Sequence, residues 1–268
     1  MEQANLKAQV LATSGAGDAT ELARQAIAEG SDLILVLGGD GTINEVVNGM
    51  AGSSVPLGVI PGGTANVLAM ELGLGSNLEK ALTRLSHTQE RRIALGRFHD
   101  ARGESRYFLN MGGVGLDAKV VSEVNQSLKR STGKFSYWVA GLSQITSTFE
   151  QFDACCNGKR YRCGFALVSR VRNYGGDLEI ARGASLLNDE FEVVLFEGSH
   201  PLRYAGYLVG VLVKQVQSMP GVHTFRVPRI EFSGAGHLQV DGEYAGRLPA
   251  RFEVVPDALT LLVPNSYR

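Results

Sequence analysis

The chain has 268 residues, 44% apolar and 20% charged, with 26 basic and 27 acidic side chains and a net charge of −1. That length fits one large domain or two modest ones, and the charge balance lacks the basic excess of a nucleic-acid binder. Three cysteines without regular spacing, Cys155, Cys156 and Cys163, exclude a disulfide framework and read as buried or half-buried thiols.

No run reaches the roughly 18 apolar residues of a membrane span. The polar stretch 1–9 lacks a signal-peptide core. The expected location is the cytoplasm. Along the chain, Gln9–Ala12 is a short apolar run, read as a strand that ends at Thr13. Asp18-x-x-Glu21 then has the form of a capping box, with Leu22, Ala23, Ala26 and Ile27 as the apolar helical stripe and Gly30 as the stop. Asp32–Leu37 is a continuous apolar run, the pattern of a strand buried on both faces.

After a glycine turn, Ile43, Val46, Val47 and Met50 repeat at helical spacing. Val55–Ile60 reads as a strand, Gly62-Gly63 as a second glycine turn, and Ala65–Leu72 as a short helix. Ser76-x-x-Glu79 caps a further helix. This alternation predicts an α/β domain with a parallel sheet over residues 1–97.

From residue 98 the elements become short strands: 107–110, 151–157, 160–169, 178–181, 191–196, 224–232, 237–240, 251–255 and 259–263. Helical stretches at 134–147 and 201–217 interrupt them. The expectation is a C-terminal β-sandwich over 98–255, with residues 256–268 returning to the first domain.

Gly38-Gly39-Asp40-Gly41-Thr42 joins a strand to a helix. Glycines let a phosphate approach the backbone, and the helix N-terminus offers free N–H groups and partial positive charge. Thr42 can cap or touch phosphate, and Asp40 suits a Mg2+ ion or a transferring group. A strand-to-helix turn with an N-cap Asp would look the same in isolation. Pro61-Gly62-Gly63-Thr64-Ala65-Asn66 is a second such turn, and parallel neighbours would bring both to one sheet edge, where α/β ligands bind. Asp241-Gly242-Glu243 offers two carboxylates, readable as a general base or as a hairpin turn. Walker-type, G-x-G-x-x-G and G-x-S-x-G motifs are absent.

The stretches GGDGTINEVVNG (Gly38–Gly49), PGGTANVLA (Pro61–Ala69), GVGLDA (Gly113–Ala118) and VDGE (Val240–Glu243) resemble, in order, those of the diacylglycerol-kinase catalytic family. The resemblance implies a nucleotide domain, a β-sandwich and a site in the cleft between them. It implies ATP and Mg2+, with phosphate moved to a lipid hydroxyl. By position, Thr13, Gly38, Gly39, Asp40, Gly41, Thr42, Ile43, Asn44, Glu45, Gly62, Gly63, Thr64 and Asn66 would surround the nucleotide. Glu243 would accept the proton, with Asp241 and Asp40 as further catalytic carboxylates. A structural Mg2+ would sit at residues 186–191, with Asp189 as side-chain ligand and the Leu186 and Phe191 carbonyls completing it.

The implied partner is a lipid at a membrane surface, met by peripheral and transient contact, and a homodimer is possible. Three features depart from the family pattern, one being Asp189-Glu190 where the structural metal site has Asp-Gly. The strand and Asn-Pro-x-Ser-Gly turn expected before the first helix are absent, and Val67 stands where bacterial members carry Asp. A soluble-substrate kinase of NAD kinase type and an inactive nucleotide- or lipid-binding remnant are the alternative readings.

Overall fold

The computed structural model describes residues 7–116, 150–174 and 178–267. The helix expected at 134–147 and the end of the GVGLDA stretch lie outside them. The first part runs α1 (Asp18–Ala28), β1 (Ile34–Gly38), α2 (Asp40–Met50), β2 (Pro56–Pro61), α3 (Val67–Glu71) and α4 (Leu78–Leu85). Then come β3 (Thr88–His99), β4 (Ser105–Phe108), β5 (Met111–Gly115), β6 (Phe152–Cys156) and β7 (Lys159–Ser169). Short strands β8 (Asn173–Tyr174) and β9 (Leu178–Glu179) precede β10 (Phe191–Glu197) and the helix α5 (Pro201–Leu212). The chain closes with β11 (Val222–Val227), β12 (Arg229–Gly234), β13 (His237–Val240), β14 (Glu243–Arg247) and β15 (Ala250–Pro264).

An N-terminal α/β part and a C-terminal β-sandwich share one mixed sheet. β1 and β2 pair in parallel from Ile34↔Leu57 to Gly38↔Pro61. β15 adds to β2 in parallel at Thr260↔Pro56 and Leu261↔Leu57. The same strand pairs antiparallel with β3 along nearly its whole length, and with β12 at its start. β3 and β15 therefore belong to both parts, and the chain end returns to the first sheet.

Two apolar cores form, the first of which runs on from the α/β part under β7, β10 and α5. Ile43, Val47, Met50, Leu57, Val59 and Leu68 lie in the first, between the helices and the sheet. Phe108, Phe152, Phe191, Phe232 and Phe252 anchor the second. Phe108 stacks on Phe191 at 5.7 Å and meets Phe252 edge-on at 5.8 Å, geometries that add to simple burial. Gly112 on β5 faces the Phe252 ring so closely that a Cβ would enter it. That close approach explains a glycine in a strand interior.

Several expectations need correction. Residues 7–14 form no strand, Val10 is 92% exposed, and Thr13 lies in this exposed stretch. β1 consequently has only β2 beside it among the described residues. Its Leu35 and Leu37 are 40% and 61% exposed, so the apolar run is not buried on both faces. Asp18 does not cap Glu21; its Oδ2 accepts from the Ser14 and Gly15 amides in the turn before α1. The cap of α4 is Asn77, which accepts from the Lys80 amide.

β3, β5 and β14 were not expected as strands. The first half of β3 is charged and β5 is glycine-rich, so neither shows an alternating apolar pattern. Pairing with β15 and β7 holds them extended. Residues 251–263 are one strand with an irregularity between Val255 and Leu259, and 224–232 splits into β11 and β12. Cys156 and Cys163 are buried, while the adjacent Cys155 turns outward.

The β3–β15 pair carries a titrating cluster. Burial raises the Glu253 carboxyl, but hydrogen bonds from His99 Nε2 (2.9 Å) and Arg97 Nε (2.9 Å) outweigh it and hold the group at about 2. A carboxyl depressed in the folded state stabilises above its unfolded value and loses that contribution as pH falls. Urea unfolding should show stability declining between about pH 4.5 and 2, with a shallower decline in Glu253→Gln. Replacing Gly112 by Val should cost about 1–3 kcal/mol by overpacking against Phe252, read as a lower urea midpoint at unchanged slope.

Candidate active site

Parallel pairing of β1 and β2 brings the two glycine turns to one end of the sheet. The Gly62 amide donates to the Gly38 carbonyl at 2.9 Å. A Cβ on Gly63 would stand 2.5 Å from the Gly39 Cα, and one on Gly62 would stand 3.1 Å from the Gly38 nitrogen. The turns thus pack backbone against backbone, a contact that side chains would forbid.

α2 begins at Asp40, with Gly39 as its extended N-cap. The amides of its first turn, Asp40 to Thr42, have no intrahelical acceptor, and the helix dipole makes that end partly positive. This is the local chemistry of a phosphate site. Asp40 also ties the two turns together, because its Oδ1 accepts from the Val67 amide at 2.7 Å. Asn66, at φ 49°, folds its side chain back: Oδ1 accepts from the Gly63 amide and Nδ2 donates to the Gly63 carbonyl, both at 2.8 Å. It holds the second turn in shape, while Thr64 stands exposed at the rim.

The other residues expected around the nucleotide serve the frame. Ile43 is a core side chain, 1% exposed. Glu45 accepts from the Gly17 and Ala19 amides at 2.9 and 3.2 Å, capping the N-terminus of α1. Asn44 is buried and donates to the Tyr107 carbonyl and to Asp241.

Asp241 and Gly242, at φ 48° and 83°, form the tight turn between β13 and β14. The hairpin and the functional readings of Asp-Gly are therefore compatible. The Asp241 Oδ1 accepts from the Asn110 and Met111 amides at 3.0 and 2.8 Å; Oδ2 accepts from the Leu109 amide and Asn44 Nδ2 at 3.0 and 2.8 Å. Burial pushes this carboxyl up, against the pull of those donors. Both oxygens of Asp241, expected as a catalytic carboxylate, are thus engaged by the frame.

Glu243 follows at the start of β14, with its side chain 48% exposed. Its Oε1 lies 3.2 Å from where a Gly41 Cβ would stand, so a side chain there would press on the carboxylate. Its Oε2 accepts from Arg106 Nη1 at 2.9 Å, and Arg106 Nη2 reaches the Val240 carbonyl at 3.3 Å. Asn48 of α2 brackets the next residue, donating to the Tyr107 carbonyl and accepting from its amide, each at 2.9 Å. Sequence reasoning missed Arg106 and Asn48. Neither belongs to a glycine turn or a carboxylate pair, and only the register of β4 against α2 reveals them.

The residues expected to hold a structural metal do not fit one. The Leu186 carbonyl accepts from Arg170 Nη2 at 2.9 Å. Asp189 is exposed, and Phe191 is a buried strand residue paired with Val227. Among the described residues no group of three His, Cys, Asp or Glu converges as a metal site would.

Comparison with known proteins places this geometry. Residues 1–98 match a family model described as the diacylglycerol kinase catalytic domain. Residues 111–263 match one described as the YegS C-terminal NAD kinase beta sandwich-like domain. The diacylglycerol kinase of Bacillus subtilis (strain 168) is 30% identical over 261 residues, spanning 94% of this chain and 84% of that protein. The chain belongs to the diacylglycerol kinase catalytic-domain family. The diacylglycerol kinase of Staphylococcus saprophyticus is 27% identical over 279 residues, covering all of this chain and 88% of that enzyme. A crystal structure of a diacylglycerol kinase from Bacillus anthracis str. Sterne superposes with a TM-score of 0.77 at 21% identity, over 97% of this chain and 87% of that one. At that identity the likeness concerns the fold.

As members of this family, the glycine turns and Glu243 depend on Asp241 for their relative placement. Asp241→Ala should strand three backbone amides and the Asn44 amide, each costing about 1–3 kcal/mol if left unpaired. The expected result is a clear loss of stability in denaturant titrations, together with weakened nucleotide binding.

Proposed function

We propose that the chain transfers the γ-phosphate of ATP to a hydroxyl of a diacylglycerol-like or sphingoid lipid. The observation that carries this reading is the closeness of the Glu243 carboxylate to Gly41, with Oε1 3.2 Å from where a Gly41 Cβ would stand. It sets a proton acceptor beside a helix N-terminus suited to phosphates.

The amides of Asp40, Gly41 and Thr42 would receive phosphate oxygens, and the paired glycine turns give the nucleotide close access to the backbone. Glu243 would take the proton from the attacking hydroxyl. Arg106 keeps one of its oxygens engaged and the other toward Gly41. The carboxylate oxygens of Asp40 and Glu243 are hard donors that suit a Mg2+ ion carried by nucleotide phosphates. When bound, that ion would screen phosphate charge.

The second domain supports a lipid acceptor. The inner face of α5 buries Tyr204, Tyr207 and Val211 over a wholly apolar cavity, whose lining also includes Leu116, Phe165 and Phe196. Leu116 directly follows β5, whose other end, Met111, is held by Asp241. The outer face of α5 exposes Leu202, Val209 and Leu212, so this stretch has both a core role and a face open to contact. Among the described residues no helix is long and apolar enough to cross a membrane.

Purified chain should transfer labelled phosphate from ATP to at least one of diacylglycerol, sphingosine, ceramide or phosphatidylglycerol in mixed micelles, with NAD as the soluble-acceptor control. Transfer to NAD alone would favour the soluble-substrate alternative, and transfer to none would leave the inactive remnant. Glu243→Gln should lower kcat by about 10²–10⁴-fold while nucleotide binding persists; full activity in that variant would remove Glu243 as the base.

A further inference from the structure

Arg170 is fully buried, at 0% exposure. It directly follows β7, and its own amide donates to the Asn110 carbonyl at 2.8 Å. A buried guanidinium without a carboxylate partner is costly unless its donors are met. Here backbone carbonyls meet those of the two terminal nitrogens. Nη1 donates to the Asn188 carbonyl and to that of Glu190 at 3.1 Å. Nη2 donates to the Ala94 carbonyl at 3.0 Å and to the Leu186 carbonyl at 2.9 Å. Nε has no partner among the described residues. A guanidinium keeps its proton in proteins, so the group is charged.

Three of the four carbonyls come from the loop 186–190. Convergent carbonyl oxygens are the donor set that a hard cation takes, and this is the loop to which the family resemblance assigned a metal. We propose that the Arg170 guanidinium is the resident cation of this loop, so that the chain holds it in shape without a divalent metal. A metal ion would have to displace hydrogen bonds already made and sit against a like charge in a buried setting. Asp189, the expected side-chain ligand, remains exposed.

The shape of the loop matters beyond itself. The Leu186 amide donates to the Tyr267 hydroxyl at 3.1 Å, and that hydroxyl donates to Glu71 Oε1 at 2.9 Å. Glu71 sits buried on α3 and also accepts from the Arg172 amide and from its Nε, at 2.9 and 3.1 Å. The guanidinium therefore anchors the sandwich end of a polar chain that reaches the nucleotide part. A planar fork can serve four carbonyls on several sides; a lysine ammonium, a compact point with three donors, cannot.

The test is thermal unfolding of the full chain, free of nucleotide and stripped with EDTA, before and after adding Mg2+ or Ca2+. The expected result is a Tm unchanged to within about 1 °C. A rise abolished by Asp40→Asn belongs to the nucleotide site and is consistent with a metal-free loop. A rise of about 3 °C or more that survives Asp40→Asn and disappears in Asp189→Asn would overturn the proposal. Arg170→Met should lower Tm by about 5–10 °C, and Arg170→Lys should restore less than half of that. An unchanged Tm in Arg170→Met would equally overturn it, and if that variant fails to fold, the metal titration of the unaltered chain still decides.

Discussion

The buried carboxylate of Asp241 is the interaction on which the site depends. One side chain receives three consecutive backbone amides, Leu109 to Met111, and the Asn44 amide of α2. Those amides lie where the chain passes from β4 to β5. Fixing them sets how the β13–β14 hairpin approaches the helix that carries the glycine turn. Glu243, two residues further on, is thereby brought against Gly41. If the pair serves the proposed transfer, a shift of one ångström there would be costly, because catalysis depends on such placement.

A second polar chain works in parallel on the other side of the β4–β5 connection. It runs from Arg170 through the 186–190 loop and Tyr267 to Glu71. The two chains meet at Asn110, whose amide donates to Asp241 and whose carbonyl accepts from Arg170. Together with β3 and β15, which run through both parts, they join the nucleotide half to the sandwich by hydrogen bonds as well as by apolar packing. Partly exposed pairs such as Arg106–Glu243 add little stability; their value is orientation. The buried groups differ, because each lost partner there leaves an unsatisfied donor or acceptor.

The glycine turns were legible in the sequence because their requirement is local. Gly38, Gly39, Gly62 and Gly63 are needed wherever two backbones and a phosphate must come close, and no side chain elsewhere alters that. The apolar stripe of α2 was legible for the same reason, since its period is set by helix geometry. β5 was not, because its Gly112 is dictated by the Phe252 ring from a strand about 140 residues later and its Gly115 by the Gly164 backbone and the Phe152 ring. Glu45 looked like part of the nucleotide motif, yet its carboxylate turns back to cap α1. At Asp241 the acidity was visible and the four donors were not.

The sequence by itself determined the order of the nucleotide turns, the identity of the carboxylate pair at 241–243, and the succession of an α/β part by a β-rich part. Those follow from backbone sterics and from the periods of helix and strand, which act over a few residues. Tertiary structure alone decided which carboxylate faces Gly41, that Arg106 holds it, and that a guanidinium fills the loop at 186–190. Each of those rests on groups far apart in the chain, whose meeting depends on strand register and on the burial that makes every unpaired polar atom expensive.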